Sequence, residues 1–185
     1  GANNVGIGQF SLDANTTGGS NTALGHNALT GNTTASNNVA VGKGALELNT
    51  TGTENTSIGT ASLDENTTGN YNSAVGYLAL HKNTTGEKNT GMGRTALEKV
   101  TTGGSNTAVG FDAGYDITTG SNNTLLGVGT FAGAATGSNR IILGWGTAGT
   151  GDAHFTFGQS SGSDRVYNAF QSNASWTRVS DQRYK

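Results

Sequence analysis

The stretch Asn21-Thr22-Ala23-Leu24-Gly25 returns as Asn38-Val39-Ala40-Val41-Gly42, Asn55-Thr56-Ser57-Ile58-Gly59 and Asn72-Ser73-Ala74-Val75-Gly76, always at the same interval. Working outward, glycine keeps this register at 8, 25, 42, 59, 76, 93, 110, 127 and 144. Leucine follows four positions later at 12, 29, 46, 63, 80 and 97. A Thr-Thr pair closes the unit at 16/17, 33/34, 50/51, 67/68, 84/85, 101/102 and 118/119. Nothing is inserted or lost along the way. In a solenoid each coil lies on its predecessor, so one extra residue would misplace every side chain that has to stack. Helical repeats of the common kinds need ~33 residues or more, and Gly, Asn and Thr in mid-unit oppose a helix.

The pentad alternates as a strand does, with Thr22 and Leu24 on one face and Ala23 on the other. A second short strand is expected through Ala28-Leu29, with Asn-Thr-Thr-Gly as a turn in which Gly takes the positive φ. The expected fold class is all-β: a parallel β-roll or β-solenoid of nine 17-residue coils over residues 1–148. Each coil advances by one strand spacing of ~4.8 Å. The equivalent residues Asn21, Asn38, Asn55, Asn72, Asn89 and Asn106 should stack in a column, as should Gly25, Gly42, Gly59, Gly76, Gly93 and Gly110. Thr22, Leu24, Ala28 and Leu29 are the expected inward set of the second coil. The opposite strand face carries Ala23, Ala40, Ala74 and Ala108, a line of small side chains that suggests close approach of another backbone. Three parallel chains around one axis would supply it, with those alanines at the contact. A monomeric solenoid with a small outer face is the other reading of the same column.

The repeat decays after position 120. Leu125 and Ile142 replace the small residue, and Arg140 stands where Asn is due. Such changes are expected of a terminal repeat, which meets something other than its own copy. Residues 149–179 form a non-repeating segment with aromatic alternation (Ala153-His154-Phe155-Thr156-Phe157), read as a small C-terminal β neck or tip. The atypical coils and this segment are what would fix register, since sliding one chain by a single coil otherwise restores almost every contact.

Composition excludes several classes of function. The chain has no Pro, which suits uninterrupted strand stacking, and no Cys, which removes disulfide and thiolate chemistry. A formal charge of −2 leaves no basic footprint for nucleic acid. No apolar run approaches the ~18 residues of a membrane span. No signal peptide or initiator Met is visible, and the sequence opens inside a repeat, so it reads as a piece of something longer.

No catalytic constellation emerges, and no cofactor or metal is expected. His26, His81 and His154 occupy different repeat positions, though a trimer would bring three copies of His154 together. The calcium-binding Gly-Gly-x-Gly-x-Asp rung is missing. Asp13, Glu47, Asp64 and Glu98 share one position and form an acidic stripe, read as a solvated face rather than a hydrolytic pair. Asn15-Thr16-Thr17 and its copies satisfy the N-glycosylation pattern, but stacked Asn ladders explain them better. Residues one and two after each Gly show no shared chemistry. For a receptor, the aromatic and basic side chains Tyr167, Phe170, Trp176 and Arg178 are the candidates, since such residues dominate recognition.

The units Asn72-Ser73-Ala74-Val75-Gly76 and Asn38-Val39-Ala40-Val41-Gly42 resemble the rungs of trimeric autotransporter adhesin heads. Those heads are trimers of left-handed parallel β-rolls, with coils somewhat shorter than the ones here. The final residues, Ser180-Asp181-Gln182-Arg183-Tyr184-Lys185, resemble the S-D-x-R-x-K opening of the intramolecular chaperone that follows phage tail fibres, tailspikes and endosialidases. That resemblance implies a domain that trimerises the fibre and then releases itself, with Ser180 as nucleophile and Lys185 as base. Residues 180–185 are thus expected to be the start of a removed chaperone. The expected function is that of a trimeric structural and adhesive fibre: the shaft or tip of a phage tail fibre or bacterial surface fibre, outside the cell. Its partners would be two further copies of itself and a cell-surface glycan or protein receptor. The alternative is an ice-binding solenoid, suggested by the Thr-Thr pairs.

Overall fold

The structure is a computed structural model that describes residues 1–159, 165–169 and 177–178. Nine strands stack in chain order as one parallel ladder: β1 (Val5–Ile7), β2 (Thr22–Leu24), β3 (Val39–Val41), β4 (Thr56–Ile58), β5 (Ser73–Val75), β6 (Thr90–Met92), β7 (Thr107–Val109), β8 (Thr124–Leu126) and β9 (Ile141–Trp145). Register follows the repeat, with Ala23 opposite Ala40, Ala40 opposite Ser57 and Ser57 opposite Ala74. The chain is therefore an all-β parallel solenoid with 17-residue coils, and no helix occurs among the described residues. The parallel stack runs one strand beyond the repeat. β10 (His154–Gln159) pairs with β9 so that residue 155 meets residue 141, an offset of 14. The chain then turns back, with β11 (Arg165–Ala169) antiparallel to β10 and β12 (Thr177–Arg178) antiparallel to β11.

Each coil holds one strand, three residues long in β1–β8 and five in β9, not the two expected. Ala28-Leu29 lies in a turn, and Leu29, Leu46, Leu63, Leu80 and Leu97 take left-handed φ of 52, 53, 48, 52 and 54°. That conformation costs an L-residue roughly 1–2 kcal/mol, and it persists because the surroundings over-determine it. The amide of Leu29 donates to the carbonyl of Ala45 in the next coil at 3.0 Å, Gly31 donates to Glu47 at 2.8 Å, and every one of these leucines is fully buried. The second wall is thus a stack of identical turns. Its inter-coil hydrogen bonds replace those of a strand without the strand's dihedrals.

The two faces of the strand are also the reverse of the expectation. Ala23, Ala40, Ala74 and Ala108 are 0% exposed inside the coil, whereas Leu24, Ile58 and Met92 are 45, 41 and 43% exposed. The small column therefore makes no trimer contact, and Leu24 is not an inward residue. Thickness is the reason. The interior is spanned by one leucine from the turn wall, so a Cβ added to Gly91 would already lie 3.3 Å from Leu80 Cγ. A closely approaching backbone does explain the alanines, but it is the opposite wall of the same coil.

Candidate functional site

So little apolar volume per coil means that polar ladders carry much of the cohesion. Asn38 donates its backbone N–H to Asn21 Oδ1 at 3.0 Å and its Nδ2 to the Gly52 carbonyl at 2.9 Å. Asn55, Asn72, Asn89 and Asn106 repeat both bonds, and all are 0% exposed. The expected Asn column is therefore present, with each side chain joining two coils. Arg140 ends it. Its N–H reaches Asn123 Oδ1 at 3.1 Å, while its guanidinium donates to Asp152 Oδ1 at 2.6 Å and to the Ala132 carbonyl. The Ser138 N–H and then Arg140 hold the Asp152 carboxyl below its ordinary value. A lowered carboxyl stabilises the fold above the usual carboxylate range, and that contribution is lost as pH falls through the lowered value.

A second ladder runs through the Asn-Thr-Thr turns. Asn32, Asn49, Asn66 and Asn83 each donate Nδ2 to the Oδ1 of the preceding Asn, at 2.9, 3.2, 2.8 and 2.8 Å. All four are fully buried and so closed to glycosylation in the folded coil. The ladder stops where Val100 and Ile117 take over the column, which leaves Asn83 Oδ1 buried without a hydrogen-bond partner. The first Thr of each pair is also committed along the axis. Thr16, Thr50 and Thr67 donate their hydroxyls to the carbonyls of Thr33, Thr67 and Thr84 at 2.8, 3.0 and 3.0 Å.

The acidic stripe is interrupted by a histidine. Position 81 falls in the column of Asp13, Glu47, Asp64 and Glu98, and His81 Nδ1 lies 3.7 Å from Asp64 Oδ2 while Nε2 lies 3.7 Å from Glu65 Oε1. Burial, then the charge of Glu47, raise the Asp64 carboxyl above its ordinary value. A raised carboxyl favours the fold at pH below its unfolded value, and the advantage is lost as pH rises through the folded one. At neutral pH the Asp64 charge therefore works against the fold. Asp64→Asn should raise the melting temperature at pH 7, with the gap closing below the ordinary value of 3.8. Thermal melts across that range test this, and an Asp64→Asn chain that melts lower at pH 7 would contradict the sign. No group of three or more metal-ligating side chains converges among the described residues.

Of the residues proposed for a receptor, Tyr167 stacks on His154 with ring centroids 5.3 Å apart and planes at 12°. His154 Nδ1 is also hydrogen-bonded to the Thr150 hydroxyl at 2.7 Å. Arg178 lies in β12. Phe170 and Trp176 lie outside the described residues, as do Ser180 and Lys185, so no dyad geometry is described.

Two columns are the outstanding features of the exterior, one expected inside the coil and the other expected to share no chemistry. One is aliphatic: Ile7, Leu24, Ile58, Val75, Met92, Val109 and Leu126 are all exposed and share one strand position. It continues into an open apolar groove of about 550 Å³ lined by Leu143, Gly144, Phe155, Phe157 and Gly158. The other follows the repeat glycine and carries Tyr77, Phe111 and Trp145, two coils apart and 48, 42 and 58% exposed. A search at twice the repeat period would have found this second column. Comparison of the chain with protein-family models, curated proteins and solved structures finds no match.

Proposed function

We propose that the chain is a segment of a homotrimeric structural and adhesive fibre, the shaft or tip of a phage tail fibre or bacterial surface fibre. Its role is to carry attachment to a cell surface. The observation that supports this best is the exposed aliphatic column along β1–β8. Monomeric proteins rarely expose contiguous apolar patches beyond a few hundred Å², and this stripe is straight and recurs at the same strand position coil after coil. A partner that covers its whole length needs the same strand spacing, which a parallel copy of the same solenoid has. The resemblance of Ser180 to Lys185 to the chaperone opening supports the same reading. The Thr hydroxyls bonded along the axis, and the Thr-x-aliphatic outer face of β2, β4 and β6, favour the fibre over a water-ordering plane.

Sedimentation of the full chain tests the assembly. Three chains per particle are expected. Val75→Asp with Val109→Asp should give folded monomers with an unchanged β spectrum. A wild-type chain that sediments as a stable folded monomer at micromolar concentration would remove the trimer from the account.

A further inference from the structure

The column after the repeat glycine reads Gln9, His26, Lys43, Thr60, Tyr77, Arg94, Phe111, Val128 and Trp145. Its backbone is locked into the inter-coil ladder: the carbonyls of Tyr77, Arg94, Phe111 and Val128 accept the amides of Thr95, Asp112, Gly129 and Gly146 at 2.9, 3.0, 2.8 and 2.9 Å. Neighbouring members are therefore one strand spacing apart, and Tyr77, Phe111 and Trp145 recur every two spacings, about 9.6 Å. The Arg94 guanidinium sits between the first two rings, 5.8 Å from the Tyr77 centroid and 5.1 Å from that of Phe111. This cation holds both rings in place by attraction to their faces. No carboxylate occurs in the column, although acidic residues outnumber basic ones in the chain, 12 to 10.

We propose that this column binds an extended β-1,4-linked polysaccharide laid along the solenoid axis. The disaccharide repeat of such a chain, in which alternate sugars present the same face, is close to two coils in length. The parts of Tyr77 and Phe111 that Arg94 leaves uncovered, together with Trp145, then meet the apolar faces of every second sugar, and the Arg94 guanidinium reaches the oxygens of the sugar between the first two rings. Aromatic side chains suit this role because they offer large contact area with few rotors to freeze. An α-1,4-linked glucan coils and cannot keep step with the rings. The inference deepens the adhesive part of the proposed function and rests on that part alone, placing recognition on the side of the fibre and requiring no trimer.

The test is retention of the full chain on insoluble chitin and cellulose, with calorimetry against chitohexaose and cellohexaose and with amylose as the coiled control. At least one of the β-linked probes should bind and amylose should not. Tyr77→Ala and Phe111→Ala should each weaken binding by about ten-fold or more, the scale of one lost aromatic anchor. The decisive variant is the exchange Phe111→Val with Val128→Phe, which keeps the side-chain content and breaks the two-coil spacing. It should bind as poorly as Phe111→Ala, with an unchanged thermal melt. Wild-type chain that ignores both β-linked probes overturns the proposal, as does an exchange variant that binds as well as wild type. Sedimentation of the same samples reports assembly independently. If the substitutions alter the particle mass and leave glycan binding intact, the column belongs to contact between copies and the proposal fails.

Discussion

Gly76→Ala is expected to destabilise the fold by about 3–5 kcal/mol, from a backbone conformation closed to alanine together with a steric clash. Gly76 has φ of +134°, and an added Cβ would lie 2.5 Å from the Gly93 oxygen, 2.7 Å from its carbonyl carbon and 3.0 Å from the Arg94 nitrogen. These atoms are backbone of the next coil, fixed by the ladder on both sides, so no side chain swings away to make room. Gly42, Gly59, Gly93 and Gly110 share the geometry, and the same substitution there should cost about as much. Denaturant unfolding of Gly76→Ala beside Thr60→Ala, at an exposed position, provides the comparison. A shift within about 0.5 kcal/mol of that surface control would mean that the coils are spaced differently from the structure described.

Asn72→Ala carries the second large effect. The substitution removes the acceptor of the Asn89 amide at 3.0 Å and the donor to the Gly86 carbonyl at 2.9 Å, both inside the coil. Gly86 still receives Asn83 Nδ2 at 3.0 Å, but the Asn89 N–H is left buried with no acceptor. An orphaned buried group costs about 1–3 kcal/mol, and the void left by the amide brings the expected loss to about 2–4 kcal/mol. A loss for Asn72→Ala within about 0.5 kcal/mol of a surface substitution, measured by urea titration, would show that the column does not act as a ladder.

The period, the strand pentad and the Asn column were legible because each depends on local spacing alone. Which strand face points inward was not. Ala23 and Leu24 both had a claim to the interior, and hydrophobicity favoured Leu24. Volume decided instead: Leu29 reaches in from the turn wall and fills the space, leaving room for nothing larger than Ala or Ser opposite. The turn wall was hidden for a related reason. Leucine rarely adopts left-handed φ, so Ala28-Leu29 read as a strand, and only inter-coil hydrogen bonds repeated at every level hold it otherwise. The acidic stripe was seen without His81, because histidine was sorted by residue type and not by repeat position. The aromatic column escaped because its period is two coils, and a single-coil consensus averages Tyr77, Arg94, Phe111, Val128 and Trp145 into noise.

The central claim is that the small column lies inside and the aliphatic column outside, where the proposed fibre would have its seam. The chain has no cysteine, so single-cysteine variants report on it cleanly. In the folded state the thiol of Val75→Cys should react, either with a soluble maleimide or by oxidation with its counterpart in a second chain. The thiol of Ala74→Cys should stay silent until the chain is unfolded. A reactive Ala74→Cys beside a silent Val75→Cys would contradict the account, since the strands would then present the opposite face.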